Sequence, residues 1–378
     1  MTTTKDPLHT LVVYGPLKPP TLIEHLRTFF PVVHHFPVVN PFAPQDQIKN
    51  SELPTDEALK EADAFFGFTV PRNLTSGEQV PNLKLFQGLS AGYTHLEQTE
   101  FLKSLKDEKI TFASASGIHV STIGEHVLGT VLMLYHKLHT IAVTLHNEQR
   151  WMSHAELGGI YIRELNTLKV GIVGYGHIGR ETARLFHSCG SEILALTRSG
   201  KPAPIGGFLL PGTGDHAGVL PSQYYSSSDR SSTLQFFADC DVVINTLPDS
   251  EATRGFMGVE EFKAMKGDGV YVNIGRGTTT DQEALVKALQ AKPEEGEKED
   301  ATGSLRIGGA SLDVTSPEPL PNGHPLFTLP NVVLTPHMSG QSKRYYINAA
   351  KVLEVNTERM RLGKGALNAW RGRREEDA

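Results

Sequence analysis

The chain has 378 residues, enough for two ordinary domains that each bury a core of their own, and 39% of them are hydrophobic. Lysine and arginine number 36 against 42 aspartate and glutamate, a formal charge of −6 with no concentrated basic stripe, which argues against nucleic acid as the main partner. The composition is that of a folded globular protein rather than a disordered or fibrous one.

Short β-branched runs alternate with helical patterns along most of the chain, the mark of stacked βα units and parallel sheets. Leu11-Val12-Val13-Tyr14 reads as a first strand and Pro20 to Phe30 as the helix after it. Ala64-Phe65-Phe66-Gly67-Phe68 and Leu83-Lys84-Leu85-Phe86 read as further buried strands, and this section, to about residue 117, as one compact α/β domain. From Ser121 a single long helix is expected through Thr144. It carries His136 and His139 three residues apart, with His146 beyond. That spacing suits a metal, but no third ligand is evident and no metal is assigned. A surface or subunit contact is the simpler reading.

A second α/β series runs from Lys169 to about Pro336, with strands expected at Val170–Val173, Ile193–Leu196, Val242–Thr246, Val270–Ile274, Gly308–Leu312 and Val332–Leu334. Tyr345 to Arg361 reads as a last helix, followed by frayed, charged material. Between Gly200 and Ser232, 16 of 33 residues are Gly, Pro or Ser, a composition expected of a surface excursion without regular structure. The run Lys292 to Asp300 reads as a solvated, charged loop.

Gly174-Tyr175-Gly176-His177-Ile178-Gly179 lies between the strand Val170–Val173 and a helix expected at Arg180 to Ser188. In that setting Gly174 permits a tight turn, Gly176 lets a pyrophosphate approach the backbone, and Gly179 lets the helix pack closely; the alternative is an ordinary glycine-rich turn. The end of the next strand bears on which dinucleotide binds. A carboxylate there would bond the ribose hydroxyls of NAD, yet no Asp or Glu occurs from Ile193 to Gly214. Thr197-Arg198-Ser199, with Lys201 nearby, offers a phosphate site instead, so NADP is expected over NAD, with NAD still possible. Otherwise Arg198 stacks on adenine or points to water.

Three more segments place polar groups at strand ends: Asn273 to Gly277, Leu312 to Leu320 and Leu334 to Gly340. Reduction of a 2-oxo acid needs a cation for the carboxylate and carbonyl, a proton donor, and a group that orients the donor. Arg276, His337 and Glu318 supply that set. Singly each has a plain reading, as a surface charge, a capping residue and a loop acid. Together, downstream of a dinucleotide loop, they form a constellation.

With those motifs, and with Gln87 to Gly92 and Gly117 to Glu125, the chain resembles the D-isomer-specific 2-hydroxyacid dehydrogenases, which include glyoxylate/hydroxypyruvate reductases, over nearly its whole length. The resemblance implies two Rossmann-like domains. Residues 1–117 plus 338–378 would be a flavodoxin-like substrate domain, and 118–337 a doubly wound, parallel-sheet cofactor domain, with a cleft between them. It implies that Arg276 binds substrate, that Glu318 supports His337 as acid/base, and that amides at Ala91 and Gly92 hold the substrate carboxylate. It also places Thr246-Leu247-Pro248, Ile274, Gly275, Asp313, His337 and Ser339 along the cofactor with the glycine loop, and implies a homodimer through residues 121 to 165. Glu318 favours hydroxy-acid chemistry, because formate dehydrogenases of related fold pair the histidine with an amide. The rival within the fold group is a dinucleotide-sensing co-repressor. Phe68-Thr69-Val70-Pro71 is expected to line the substrate pocket, but the sequence does not identify the acid.

The only cysteines, Cys189 and Cys240, both fall in stretches read as buried and fit a reducing compartment. The polar start lacks the pattern of a secretory leader, no apolar run is long enough to span a bilayer, and the end REEDA is no peroxisomal signal. The expectation is a cytoplasmic protein with a small-molecule substrate and no membrane partner.

Overall fold

The computed structural model describes residues 8–41, 43–44, 47–159, 162–293, 298 and 300–372. The expected charge run at 292–300 therefore lies mostly outside the described residues. Thirteen strands occur among those described: β1 Thr10–Tyr14, β2 Val32–Phe36, β3 Ala64–Gly67, β4 Leu85–Gly88, β5 Thr111–Ala113, β6 Lys169–Val173, β7 Glu192–Thr197, β8 Gln223–Ser226, β9 Val242–Asn245, β10 Val270–Asn273, β11 Gly309–Leu312, β12 Val332–Leu334 and β13 Ala369–Arg371. They form two sheets in two compact units. One unit comprises Met1–Ile118, Gly206–Leu210 and Ser342–Ala378, and the other His119–Ile205 and Pro211–Gln341.

The first unit has the order β13-β5-β4-β3-β1-β2, parallel except for β13. Leaving β13 aside, this is the flavodoxin-like order. Its core is a run of aromatic rings across neighbouring strands, Phe65 stacked on Phe86 at 4.9 Å and Phe86 on Phe112 at 5.4 Å. The helix Tyr345–Arg361 belongs to this unit and is fixed by Asn356, whose Nδ2 donates to Gln87 Oε1 at 2.8 Å. The chain beyond that helix is not frayed throughout. Ala369–Arg371 pairs antiparallel with β5, and Trp370 stacks on Tyr93 with centroids 4.5 Å apart. The partly buried indole and the backbone pairing with β5 hold a strand whose own sequence gives little β signal.

The second unit has the order β12-β11-β10-β9-β6-β7-β8, all parallel. The chain starts in the middle at β6, winds outward through β7 and β8, then returns to β9, so the crossover direction reverses between β6 and β9. Both faces are covered, and alternate residues divide between them. Val170, Ile172, Ile193, Ala195, Val242 and Ile244 join one core, while Val173, Leu194, Leu196, Val243 and Tyr271 join the other.

Several expectations are corrected here. The single helix from Ser121 to Thr144 is two helices, Val120–Tyr135 and Leu138–Glu148, bent by 66°. Neither Gly nor Pro marks the break. Lys137 adopts a left-handed conformation with φ 51°, and the His139 ring sits between the carbonyls of Met133 and Pro330, Nδ1 3.1 Å from the first and Nε2 2.8 Å from the second. Among the described residues no single helix is long and apolar enough to cross a membrane. The Gly/Pro/Ser-rich stretch contains β8, which pairs with β7 and buries Tyr225. The helix after the glycine loop begins at His177, so half of the loop forms its first turn. Cys189 is exposed; only Cys240 is buried.

Candidate active site

β6 and β9 lie side by side at the point where winding reverses, so their C-terminal turns meet where ligands settle in such sheets. After Val173 the chain turns at Gly174, φ +86°, and a Cβ on Gly179 would lie 2.5 Å from the Gly174 carbonyl oxygen. Both positions therefore require glycine for the protein's own packing. Gly176 differs: a Cβ there would meet nothing within 4 Å, so the space beside it is open to a ligand. The helix His177–Ser188 has no side-chain cap, and its N-terminus carries the partial positive charge that suits an anion. The Thr246 hydroxyl bonds the carbonyls of Val173 and Gly174 at 3.1 and 2.6 Å, tying the β9 turn to the loop. Leu247 N–H donates to Asn245 Oδ1 and the Pro248 carbonyl accepts from Thr253 Oγ1, while Ile178 packs on the core.

At the end of β7 the backbone is pinned from several sides. The Arg198 carbonyl accepts the hydroxyls of Ser226 and Ser228 at 2.9 and 3.1 Å, Thr197 Oγ1 accepts Gly200 N–H, and Ser199 Oγ accepts Lys201 N–H. The Arg198 side chain is left exposed beside the strand end.

Arg276, Glu318 and His337 follow the adjacent strands β10, β11 and β12 and share one edge of the sheet. Their turns interlock at glycines. A Cβ on Gly275 would lie 2.4 Å from the Leu247 carbonyl oxygen, and one on Gly277 would lie 1.9 Å from that of Thr315. Beneath the Arg276 turn is a buried polar network. Asn245 and Asn273 end β9 and β10 in register; Asn245 Nδ2 donates to Tyr271 Oη and Thr279 Oγ1, and Asn273 Nδ2 to Thr280 Oγ1 and the Arg276 carbonyl. The exposed Arg276 guanidinium bonds the Gly275 carbonyl at 2.6 Å through Nη1, leaving other N–H groups to face solvent.

His337 is a non-glycine residue at φ 51°, a conformation held by what surrounds it. Its N–H donates to the Asp313 carbonyl at 2.9 Å, and its Nδ1 lies 2.5 Å from Glu318 Oε1. The Asp313 carboxylate is nearly inaccessible and accepts Thr335 Oγ1 at 2.6 Å, Met338 N–H at 2.9 Å and Ser339 N–H at 3.0 Å. Burial opposes its charge, but these hydroxyl and amide donors hold its carboxyl below the ordinary value. Asp313 thus clamps the turn on both sides of His337. His126, from the helix Val120–Tyr135, touches the same clamp, with Nε2 3.4 Å from Thr335 Oγ1.

Ala91 and Gly92 are in the first unit, on the turn after β4, where Ser90 Oγ donates to the Gly92 carbonyl. Among the described residues neither of their N–H groups donates a hydrogen bond. Phe68, in the same unit, packs against Tyr345 and Tyr346 with centroids 5.8 and 6.3 Å away. No group of three or more His, Cys, Asp or Glu side chains among the described residues is placed to hold a metal ion.

Sequence reading missed the residues that hold the constellation: Thr335, the Met338 amide and the asparagine–threonine network. A signal was present for the last, since two apolar runs, Val242–Asn245 and Val270–Asn273, both end in asparagine.

The family model for the D-isomer specific 2-hydroxyacid dehydrogenase NAD-binding domain matches residues 128–209 and 220–339, more than half of the chain. The chain belongs to this family. It is therefore an oxidoreductase with a nicotinamide-dinucleotide domain, of a kind that interconverts 2-oxo and 2-hydroxy acids. A glyoxylate reductase/hydroxypyruvate reductase from Homo sapiens is 29% identical over 263 residues, 70% of this chain and 69% of that protein. Two solved structures share the fold. One is a D-isomer specific 2-hydroxyacid dehydrogenase from Xanthobacter autotrophicus Py2 in complex with NADPH and MES, with TM-score 0.68, 23% identity, and 96% and 98% of the two chains covered. The other is a D-lactate dehydrogenase with NAD+ from Lactobacillus jensenii, with TM-score 0.66, 18% identity, and 95% and 99% covered.

Proposed function

We propose that this protein reduces a small 2-oxo acid to a 2-hydroxy acid of D type, with NADPH preferred to NADH. The observation that carries the reading is the His337–Glu318 pair, 2.5 Å apart on the turns after β12 and β11, the latter interlocked with the turn of Arg276. Glyoxylate and hydroxypyruvate, named for the human relative, head the candidate substrates.

The residues suit such a cofactor. The glycine loop, with open space beside Gly176, would hold the pyrophosphate, and Thr246, Leu247, Pro248, Ile274, Gly275 and Ser339 would lie along the dinucleotide. The exposed Arg198, with Thr197 and Ser199, would take a 2′-phosphate. When bound, the cofactor supplies the hydride to C2 of the acid. Arg276 forks onto the carboxylate and carbonyl oxygens and stabilises the negative charge that gathers on the latter. Glu318 engages Nδ1 of His337, which leaves Nε2 as the nitrogen that gives the proton to the forming alkoxide. In the oxidative direction neutral His337 takes that proton.

The working form we propose is a cytoplasmic homodimer. The helix Leu138–Glu148 has no buried residue, and Leu138, Val143 and, after it, Trp151 are largely exposed, which supports contact with a second copy through this arm. Two unpaired cysteines suit a reducing compartment.

Initial rates with NADPH and NADH, across glyoxylate, hydroxypyruvate, pyruvate, phenylpyruvate and a branched 2-oxo acid, test the reading. Turnover with NADPH well above NADH is expected. Preference for NADH would overturn the role given to Arg198, and tight dinucleotide binding without turnover would favour the co-repressor alternative.

A further inference from the structure

The match to the family breaks between residues 209 and 220, inside the excursion after β7. The polar groups of the excursion run back to the glycine loop. Asp215 is 6% exposed; its Oδ1 accepts the amides of Gly218 and Val219 at 3.1 and 3.0 Å, and its Oδ2 that of Leu220 at 3.0 Å. The remaining donor to Oδ2 is the hydroxyl of Tyr175, at 2.9 Å, and Tyr175 is the second residue of the loop. Arg180, in the first turn of the following helix and 5% exposed, reaches the same place. It donates Nε to the Tyr175 carbonyl at 3.0 Å, Nη1 to the Asp215 carbonyl at 2.6 Å and Nη2 to the Ala203 carbonyl at 2.7 Å, with its guanidinium 4.8 Å from the Tyr175 ring centroid. The next helix residue, Glu181, accepts Gly214 N–H at 2.6 Å. The loop and the start of its helix are thus tied to the excursion at Ala203, Gly214 and Asp215.

One of these bonds acts directly on the ligand-facing backbone. A trans peptide is planar, with its N–H opposite its C=O. When Arg180 holds the Tyr175 carbonyl, the N–H of Gly176 is fixed pointing the other way, and it donates to no group among the described residues. A glycine-rich loop would otherwise carry large backbone freedom, to be lost on binding. Fixing the loop beforehand removes that loss.

We propose that Tyr175, Arg180 and Asp215 are positioning residues for the dinucleotide, and that the excursion is a splint that presets the glycine loop to receive a pyrophosphate. The inference rests on the reading of this loop as the dinucleotide site. Tyr175→Phe removes a single hydroxyl and Asp215→Asn its carboxylate acceptor. The measurement is calorimetric binding of two probes to the full chain: ADP-ribose, which carries the pyrophosphate, and AMP, which lacks its second phosphate. Each variant is expected to weaken ADP-ribose about ten-fold, the scale of one ordered hydrogen bond, and AMP by less than about two-fold. The KM for NADPH should rise more than kcat falls. A Tyr175→Phe protein that binds ADP-ribose like the parent, or variants that weaken both probes alike, would overturn the splint while leaving the loop as the site. A parent protein that binds no ADP-ribose would overturn both.

Discussion

His337 Nδ1 and Glu318 Oε1 meet at 2.5 Å although they stand on the turns after two different strands, β12 and β11. A carboxylate accepts and cannot donate, so this contact fixes the proton on Nδ1 and orients the ring. An amide at position 318 can either accept or donate and loses that enforcement. Glu318→Gln is expected to lower kcat about 10²-fold while leaving the dinucleotide dissociation constant unaltered. His337→Ala should also bind dinucleotide and lose most of the reduction. Single-turnover rates with bound cofactor check both, and a Glu318→Gln enzyme of parental kcat would make the pair incidental.

Thr335 has one hydroxyl hydrogen and gives it to Asp313 Oδ1 at 2.6 Å. The hydroxyl can therefore only accept from His126, which assigns the His126 proton to Nε2. Thr335→Val keeps the shape and removes a bond to a buried charge, so a stability loss of about 1.5–3 kcal/mol is expected, together with a lower kcat as the left-handed His337 turn loosens. Thr335→Ser should restore both. Because donors hold the Asp313 carboxyl below its ordinary value of 3.8, its contribution is fully present above that pH and is lost as pH falls through the lower, folded-state value. Urea unfolding of Asp313→Asn against pH should show a flatter acid limb than the parent.

How much of this was legible in the sequence depended on distance along the chain. The apolar runs of β6, β7, β9, β10 and β12 stand out because both faces of the sheet are covered. The glycine loop and the three strand-end segments are local too, each complete within a few residues. The 66° break after Tyr135 was not readable, since Lys137 is no helix breaker and the bend is held by His139 on Pro330, 191 residues away. β8 was hidden by the serines around it, and β13 forms because Trp370 finds Tyr93. Asp215 gave no sign of its role, because its partner Tyr175 precedes it by 40 residues.

Asp241 offers a stability test remote from the chemistry. Its nearly inaccessible carboxylate precedes β9 and accepts Lys169 N–H at 2.8 Å, Arg163 Nη2 at 2.6 Å and Lys266 Nζ at 2.9 Å. Burial works against the charge, and the Lys169 amide with the two cations outweighs it, so the carboxyl lies below its ordinary value. Asp241→Ala strands the partly exposed Lys266 and leaves Arg163 with Asp268 alone, and should cost about 2–4 kcal/mol in denaturant unfolding. The parent should lose this contribution as pH falls below about 4, and the variant has none to lose. Asp268 shares Arg163 but is raised, chiefly by burial, so Asp268→Asn should not reproduce the flattened acid limb.

Arg198 tests cofactor choice. Its carbonyl is fixed by Ser226 and Ser228 while its guanidinium stands exposed, at a strand end followed by no acid before Asp215. A 2′-phosphate there would gain a charge-assisted contact, whereas a ribose hydroxyl would gain little. Arg198→Ala should therefore raise the KM for NADPH roughly 10- to 100-fold and leave that for NADH within about three-fold, as loss of one charged hydrogen-bonding partner predicts. Arg198→Asp should go further, adding repulsion of the phosphate and an acceptor for both ribose hydroxyls, so that NADH becomes the better substrate. Parallel KM measurements at saturating 2-oxo acid decide the matter. Equal losses with the two cofactors would mean that Arg198 stacks on the adenine they share, and the 2′-phosphate would then have to be held elsewhere.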